Sequence, residues 1–207
     1  MSENEGLRER KKRRTRVALI DAGLQLFDER GFEATTVADI CAAADVAPAT
    51  FYKHFPTKED LVFANQPYRL EVFRDLVRDR EPGAPIDEHL TRVIDRGLKH
   101  PDLPLVSENV RPVRRRLIME TPALRAIALR WLFDSQEELG AALAEAYPDE
   151  LDELTARAVI GALLGAMIST SRAASARGLT SAEAAKFAAQ VVLSGLADPT
   201  RIPRPPS

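Results

Sequence analysis

Residues 35–61, TTVADICAAADVAPATFYKHFPTKEDL, leave this chain little freedom in what it can fold into. They hold two short helical patterns separated by a break with room only for a tight turn. Thr35 or Thr36 caps the first helix, since a threonine hydroxyl accepts from the orphan N–H groups of a first turn, and Asp39 then sits at the positive end of the helix dipole. Val37, Ile40, Cys41 and Ala44 recur at helical spacing and form one apolar stripe. Asp45 follows, and Val46 is the apolar plug of the turn. Pro48 suits the first turn of a second helix, where no N–H partner is needed and φ is already set; that helix is predicted over about 48–54. Phe51 and Phe55 are four apart and face inward together. Ala49, Thr50, Tyr52, Lys53 and His54 are left outside, and these residue types contact thymine methyls, base edges and phosphates. Thr57 caps the next helix, which places Lys58 where backbone N–H groups already favour a phosphate.

The flanks agree with a DNA-reading helix pair. Residues 15–30 are amphipathic, with Val17, Ile20, Leu24 and Phe27 on one face, Gly31 as a natural stop and Phe32 folding back beneath the pair. Ahead of them, residues 8–16 carry seven cations: Arg8, Arg10, Lys11, Lys12, Arg13, Arg14 and Arg16. Such a run is expected to stay solvated until it meets an anion, so residues 1–14 read as a flexible basic arm, with Arg13 and Arg14 reaching the DNA backbone or a minor groove.

The N-terminal third closely resembles the DNA-binding domain of the TetR family of one-component bacterial repressors. The residues that carry the resemblance include Ala22, Leu26, Phe27, Gly31, Phe32, Thr35, Thr36, Val37, Ile40, Ala43, Ala44 and Val46. The run Thr50-Phe51-Tyr52-Lys53-His54-Phe55, with Lys58, Leu61 and Ala64, completes it. Ala47-Pro48-Ala49 departs slightly from the family's usual Ser-x-Gly-type entry. The resemblance implies an all-α protein with an N-terminal three-helix helix-turn-helix domain, expected at 15–60. It also implies a C-terminal effector-binding and dimer-forming domain, expected at 61–198. Repression relieved by a small molecule follows from the same likeness. Position by position it implies groove or phosphate contacts at Thr50, Tyr52 and His54, and phosphate contacts at Thr36 and Lys58.

Composition narrows the alternatives. The net charge of −2 gives no global sign of nucleic acid, so the DNA reading rests on local charge: the 8–16 run, and the absence of any acid between Val46 and Lys58. A single cysteine, Cys41, excludes an internal disulfide and most metal sites, and its place on an apolar stripe marks a buried structural thiol. No cofactor is expected. No signal peptide or long apolar run is evident, which points to the cytoplasm and away from a membrane. The three histidines, at 54, 89 and 100, lie in no nucleophile, metal or phosphate-loop setting, so an enzyme is not expected.

Beyond Lys58 the chain reads helical, punctuated by proline and glycine. Helices are predicted over 59–79 (kinked or broken at Pro67), 86–99, 105–119, 121–147, 149–176 and about 181–196, the last capped by Ser181. Residues 199–207, with four prolines, read as a disordered tail. In the 149–176 helix, small residues alternate with large apolar ones, and the last helix is equally apolar. Both exceed the needs of a one-sided surface helix. A two-fold four-helix interface using Gly161, Leu164, Gly165, Ile168, Phe187 and Val191 answers that excess. An effector pocket is expected among Phe73, Asn109, Arg116, Met119, Trp131, Ser135 and Met167. The mainly apolar residues between Phe73 and Phe133 favour a hydrophobic ligand, and the Arg111, Arg114, Arg115, Arg116 cluster reads either as an attractor for an anionic head group or as a solvated helix face. The function expected is a homodimeric repressor released from a near-palindromic operator. A TetR-like activator and a helical protein–protein module without DNA binding are the alternatives.

Overall fold

The structure, a computed structural model, describes residues 3–100 and 111–197, and every regular element among them is helical. The helices are α1 (Glu3–Arg30), α2 (Val37–Ala43), α3 (Pro48–His54), α4 (Lys58–Val62), α5 (Gln66–Arg78), α6 (Ile86–Lys99), α7 (Arg111–Glu120), α8 (Pro122–Ala146), α9 (Glu153–Ala176) and α10 (Ser181–Ala197). The chain divides into two compact units, one of Met1–Gln66 with Pro104–Leu129, the other of Pro67–Leu103 with Arg130–Ser207.

In the first unit, α1 ends where Gly31 takes φ 86° and its N–H donates to Phe27 O, a left-handed step that glycine makes without steric cost. Ile20, Leu24, Phe27, Phe32, Ile40, Phe51, Phe55 and Leu61 then close a core in which none is more than 5% exposed. Gly23 lets that core close: a Cβ there would lie 2.8 Å from Leu61 Cδ1. Both short helices beside α3 start on capping boxes, Thr36 with Asp39 for α2 and Thr57 with Asp60 for α4, each satisfying two orphan donors. Helix α7 also packs on α1, with Leu117 buried and Arg116 ion-paired to Asp28.

The second unit forms around Val77, Leu90, Val93, Leu143, Tyr147, Ala156, Ile160 and Leu163. Helices α9 and α10 pack on each other, and α10 on α6. Tyr147 is the pivot: its buried hydroxyl donates to Ala84 O at 3.0 Å, and the Arg80 guanidinium lies 3.7 Å over its ring while also binding Ala146 O and Glu150.

Three sequence expectations are corrected. The basic segment is not an unstructured arm within the described residues, because α1 continues back through it to Glu3. Arg, Lys and Glu are strong helix formers, and Glu9 stands four before Arg13, a favourable helical pairing. The 59–79 helix is interrupted, but at residues 63–65 rather than at Pro67, which falls in the first turn of α5, where proline is tolerated. The cap of α10 is Thr180, whose Oγ1 accepts from Glu183 N while the Glu183 carboxylate accepts from Thr180 N, so Ser181 lies one residue inside. Residues 111–129 group with the N-terminal helices in the first compact unit. The tail at 199–207 lies outside the described residues.

Candidate nucleic-acid interface

The turn between α2 and α3 is a Schellman motif. Val46 N donates to Cys41 O and Asp45 N to Ala42 O, and Asp45 takes the left-handed φ of 52° that the motif needs. Val46 is half-buried as the plug, and Pro48 starts α3 with no side-chain cap at Ala47. The result is a seven-residue helix with two unlike faces. Phe51 is fully buried and packs on Phe55 at 5.6 Å, while its neighbour Tyr52, 59% exposed, stands edge-on to it at 5.5 Å. Ala49 and Lys53 are exposed, and Thr50 and His54 are half-buried. Thr36, Arg13 and Arg14 are exposed as well. Of the five α3 residues expected outside, three are exposed and two are half-buried.

Two cations turn inward. Lys58 Nζ donates to Phe32 O at 2.8 Å and to Thr35 O at 3.3 Å, and lies 4.3 Å over the Phe32 ring. These contacts hold the α1–α2 connection. The other is Arg16, which the sequence pattern presents only as the end of a charge run. Its two terminal nitrogens donate to His54 O at 3.0 Å and Ala64 O at 2.6 Å, with the guanidinium 4.5 Å over the Phe55 ring. A sequence signal for this exists, since Arg16, Ile20, Gly23 and Phe27 share one helical face. Burial, then the charges of Arg16 and Lys12, hold the His54 imidazole below its usual range and favour the neutral ring. Hydrogen bonds from Thr36 hold the Asp39 carboxyl low, and burial pushes the Cys41 thiol up, so it is a poor nucleophile.

The effector candidates are not gathered as expected. Phe73 and Trp131 are half-buried against the core of the second unit, and Met167 is half-buried on α9. The Ser135 hydroxyl donates back to Trp131 O within α8. Arg116 belongs to the first unit and is ion-paired with Asp28, and Met119 is exposed. Asn109 lies outside the described residues. A shallow depression of about 400 Å³ between α6 and α10 is lined by none of these residues.

The dimer candidates lie on partly open helix faces. Ala156, Ile160 and Leu163 turn one side of α9 inward, whereas Leu154 is 78% and Ile168 43% exposed, and nothing lies within 4 Å of a Cβ built on Gly165. Gly161, Leu164, Phe187 and Val191 are half-buried. By length and composition alone Glu153–Ser171 could cross a membrane, and only 17% of that stretch is buried.

Comparison with known proteins gives these features a context. Residues 19–64 match the family described as "Bacterial regulatory proteins, tetR family". The chain is 32% identical over 151 residues to the HTH-type transcriptional regulator TcmR of Streptomyces glaucescens, covering 72% of this chain and 67% of that one. It is 45% identical over 60 residues to the transcriptional repressor DhaR of Mycobacterium sp. (strain GP1), covering 29% of each. Among solved structures, that of SmeT in complex with triclosan superposes with a TM-score of 0.61 at 17% identity, covering 93% of this chain and 99% of that one, which shows a shared fold.

Proposed function

The chain belongs to the tetR family of bacterial regulatory proteins, and from that premise we propose that it is a homodimeric repressor whose α3 helices enter successive major grooves of a near-palindromic operator. One observation carries this reading: α3 buries Phe51 completely while leaving Ala49, Tyr52 and Lys53 exposed and Thr50 half-buried. Thr36, Arg13 and Arg14 supply phosphate contacts beside it, and His54 approaches the groove from the end of α3. A Lys58 phosphate contact requires the ammonium to leave the carbonyls of Phe32 and Thr35.

Dimerisation is supported by α9, whose open face of Leu154, Gly165 and Ile168 suits a second copy of the same helix pair better than water. The effector we propose is apolar and binds in the second unit, where Phe73 and Trp131 pack half-buried against the core. Its binding favours a dimer geometry in which the two α3 helices no longer match the half-site spacing, which requires different ligand affinities in the two states. A screen of acyl and aromatic compounds by thermal shift identifies such a ligand, because binding to the native state alone raises apparent stability.

The DNA reading is tested by mobility shift on the promoter region of the protein's own gene. Tyr52→Ala is expected to weaken binding by roughly tenfold or more, in line with the ~1–3 kcal/mol typical of a base-contacting side chain. Wild-type affinity in the variant, with its helix content intact, removes Tyr52 from the interface.

A further inference from the structure

We infer that Arg16 is a positioning residue for the recognition helix: it ties the last carbonyl of α3 to the chain leaving α4 and does not contact DNA phosphate, although it ends the basic run of the N-terminus. The inference rests on the proposed DNA reading of α3.

Arg16 stands apart from the cations before it. Arg10, Lys11, Lys12, Arg13 and Arg14 are exposed, while Arg16 is half-buried on the face of α1 that also carries the fully buried Ile20. The carbonyl of His54 is one of those left without an intrahelical partner where α3 stops, because Phe55 turns extended at φ −141°. A cation at a helix C-terminus is favoured there by the helix dipole as well as by the hydrogen bond. The second nitrogen reaches Ala64 O at 2.6 Å, just past α4, and the guanidinium covers the Phe55 ring between the two carbonyls. One side chain therefore cross-links α1, the end of α3 and the end of α4. Desolvation disfavours the Arg16 charge, yet two carbonyls and an aromatic face compensate it. Turning out to a phosphate would break both bonds and uncover Phe55.

Arginine is required for this geometry. The fork offers two nitrogens and a planar face, whereas a lysine keeps the charge but offers a single nitrogen and no plane. Charge and fork can therefore be separated by experiment, using full-length Arg16→Gln, Arg16→Lys and, for comparison, the exposed-site variant Arg14→Gln. The first measurement is amide hydrogen exchange in the free protein. Both Arg16 variants are expected to exchange at least tenfold faster over residues 51–55, with α2 unchanged. Exchange like wild type in those residues overturns the inference.

The second measurement is affinity against salt concentration for the duplex that the wild-type protein selects from a randomised palindromic pool. Both Arg16 variants should bind at least tenfold more weakly with an unchanged salt slope, whereas Arg14→Gln should lower the slope by about 0.9 for each phosphate it no longer neutralises. A lowered slope in Arg16→Gln, with Arg16→Lys restoring affinity, identifies Arg16 as a phosphate ligand and also overturns the inference. If the wild type selects no duplex, the DNA reading fails on its own, and the exchange measurement still decides whether Arg16 fixes α3.

Discussion

Asp45 reverses the chain between α2 and α3 at φ 52°, in a region that side chains with a Cβ enter at a cost of roughly 1–2 kcal/mol. Asp tolerates it better than most residues, and glycine enters freely. Asp45→Gly is therefore expected to raise stability by up to about 1 kcal/mol, and Asp45→Val, which adds β-branching, to lower it by about 1–2 kcal/mol. Chemical denaturation of the three proteins checks the order, and a valine variant as stable as wild type removes the strain argument. The residues around this turn are legible in the sequence because their partners are local: Thr36 with Asp39 and Thr57 with Asp60 are three apart, a spacing that names both donor and acceptor. Arg16 and Lys58 are not legible in the same way. Which way a long cation turns depends on which carbonyls the tertiary fold leaves orphaned, and those of His54, Ala64, Phe32 and Thr35 are brought within reach only when α1 to α4 pack.

At the scale of the helices, proline and glycine punctuation locates most boundaries, but one signal has two meanings. Pro67 reads as a kink in a long helix, yet proline in a first turn starts a helix, and the break lies just upstream at 63–65. The N-terminal extension of α1 is hidden for a related reason: a charge run signals solvation, and solvation does not prevent helix formation in Arg, Lys and Glu. The excess apolar character of α9 is legible, because its small and large residues exceed one buried face. Cover of the other face by a second copy is proposed at positions where the single chain has room. Gly165 has no heavy atom near its missing Cβ, and Ile168 is open, so neither is needed to fold one chain. Ile168→Asp and Gly165→Arg are accordingly expected to keep their helix content yet sediment as monomers, since a charge placed in a closely packed two-fold interface meets its own copy. A folded variant that remains dimeric moves the interface off this face of α9.

Across the whole molecule, charge is distributed in a way that the total conceals. The chain has 29 basic and 31 acidic residues, but residues 8–16 hold seven of the first and one of the second. The rest of the protein is therefore strongly acidic and is repelled by DNA, while one stretch of α1 and the acid-free segment from Val46 to Lys58 are not. On the proposed DNA reading, that asymmetry would orient the protein on the duplex before any base is read, and it separates two contributions to binding. Phosphate contacts set affinity and its salt dependence without regard to sequence, and α3 is the element proposed to set sequence preference. Replacing Arg10, Arg13 and Arg14 together with Gln keeps helix propensity high, so α1 is expected to persist while its charge is reduced. Operator affinity should then fall with a shallower salt slope, by about 0.9 for each phosphate left without its cation, and affinity for unrelated duplex should fall by a similar factor. The ratio of the two, measured by competition at fixed salt, should stay close to wild type. If that ratio collapses, the basic turns of α1 read sequence themselves, and the division of labour between α1 and α3 is wrong.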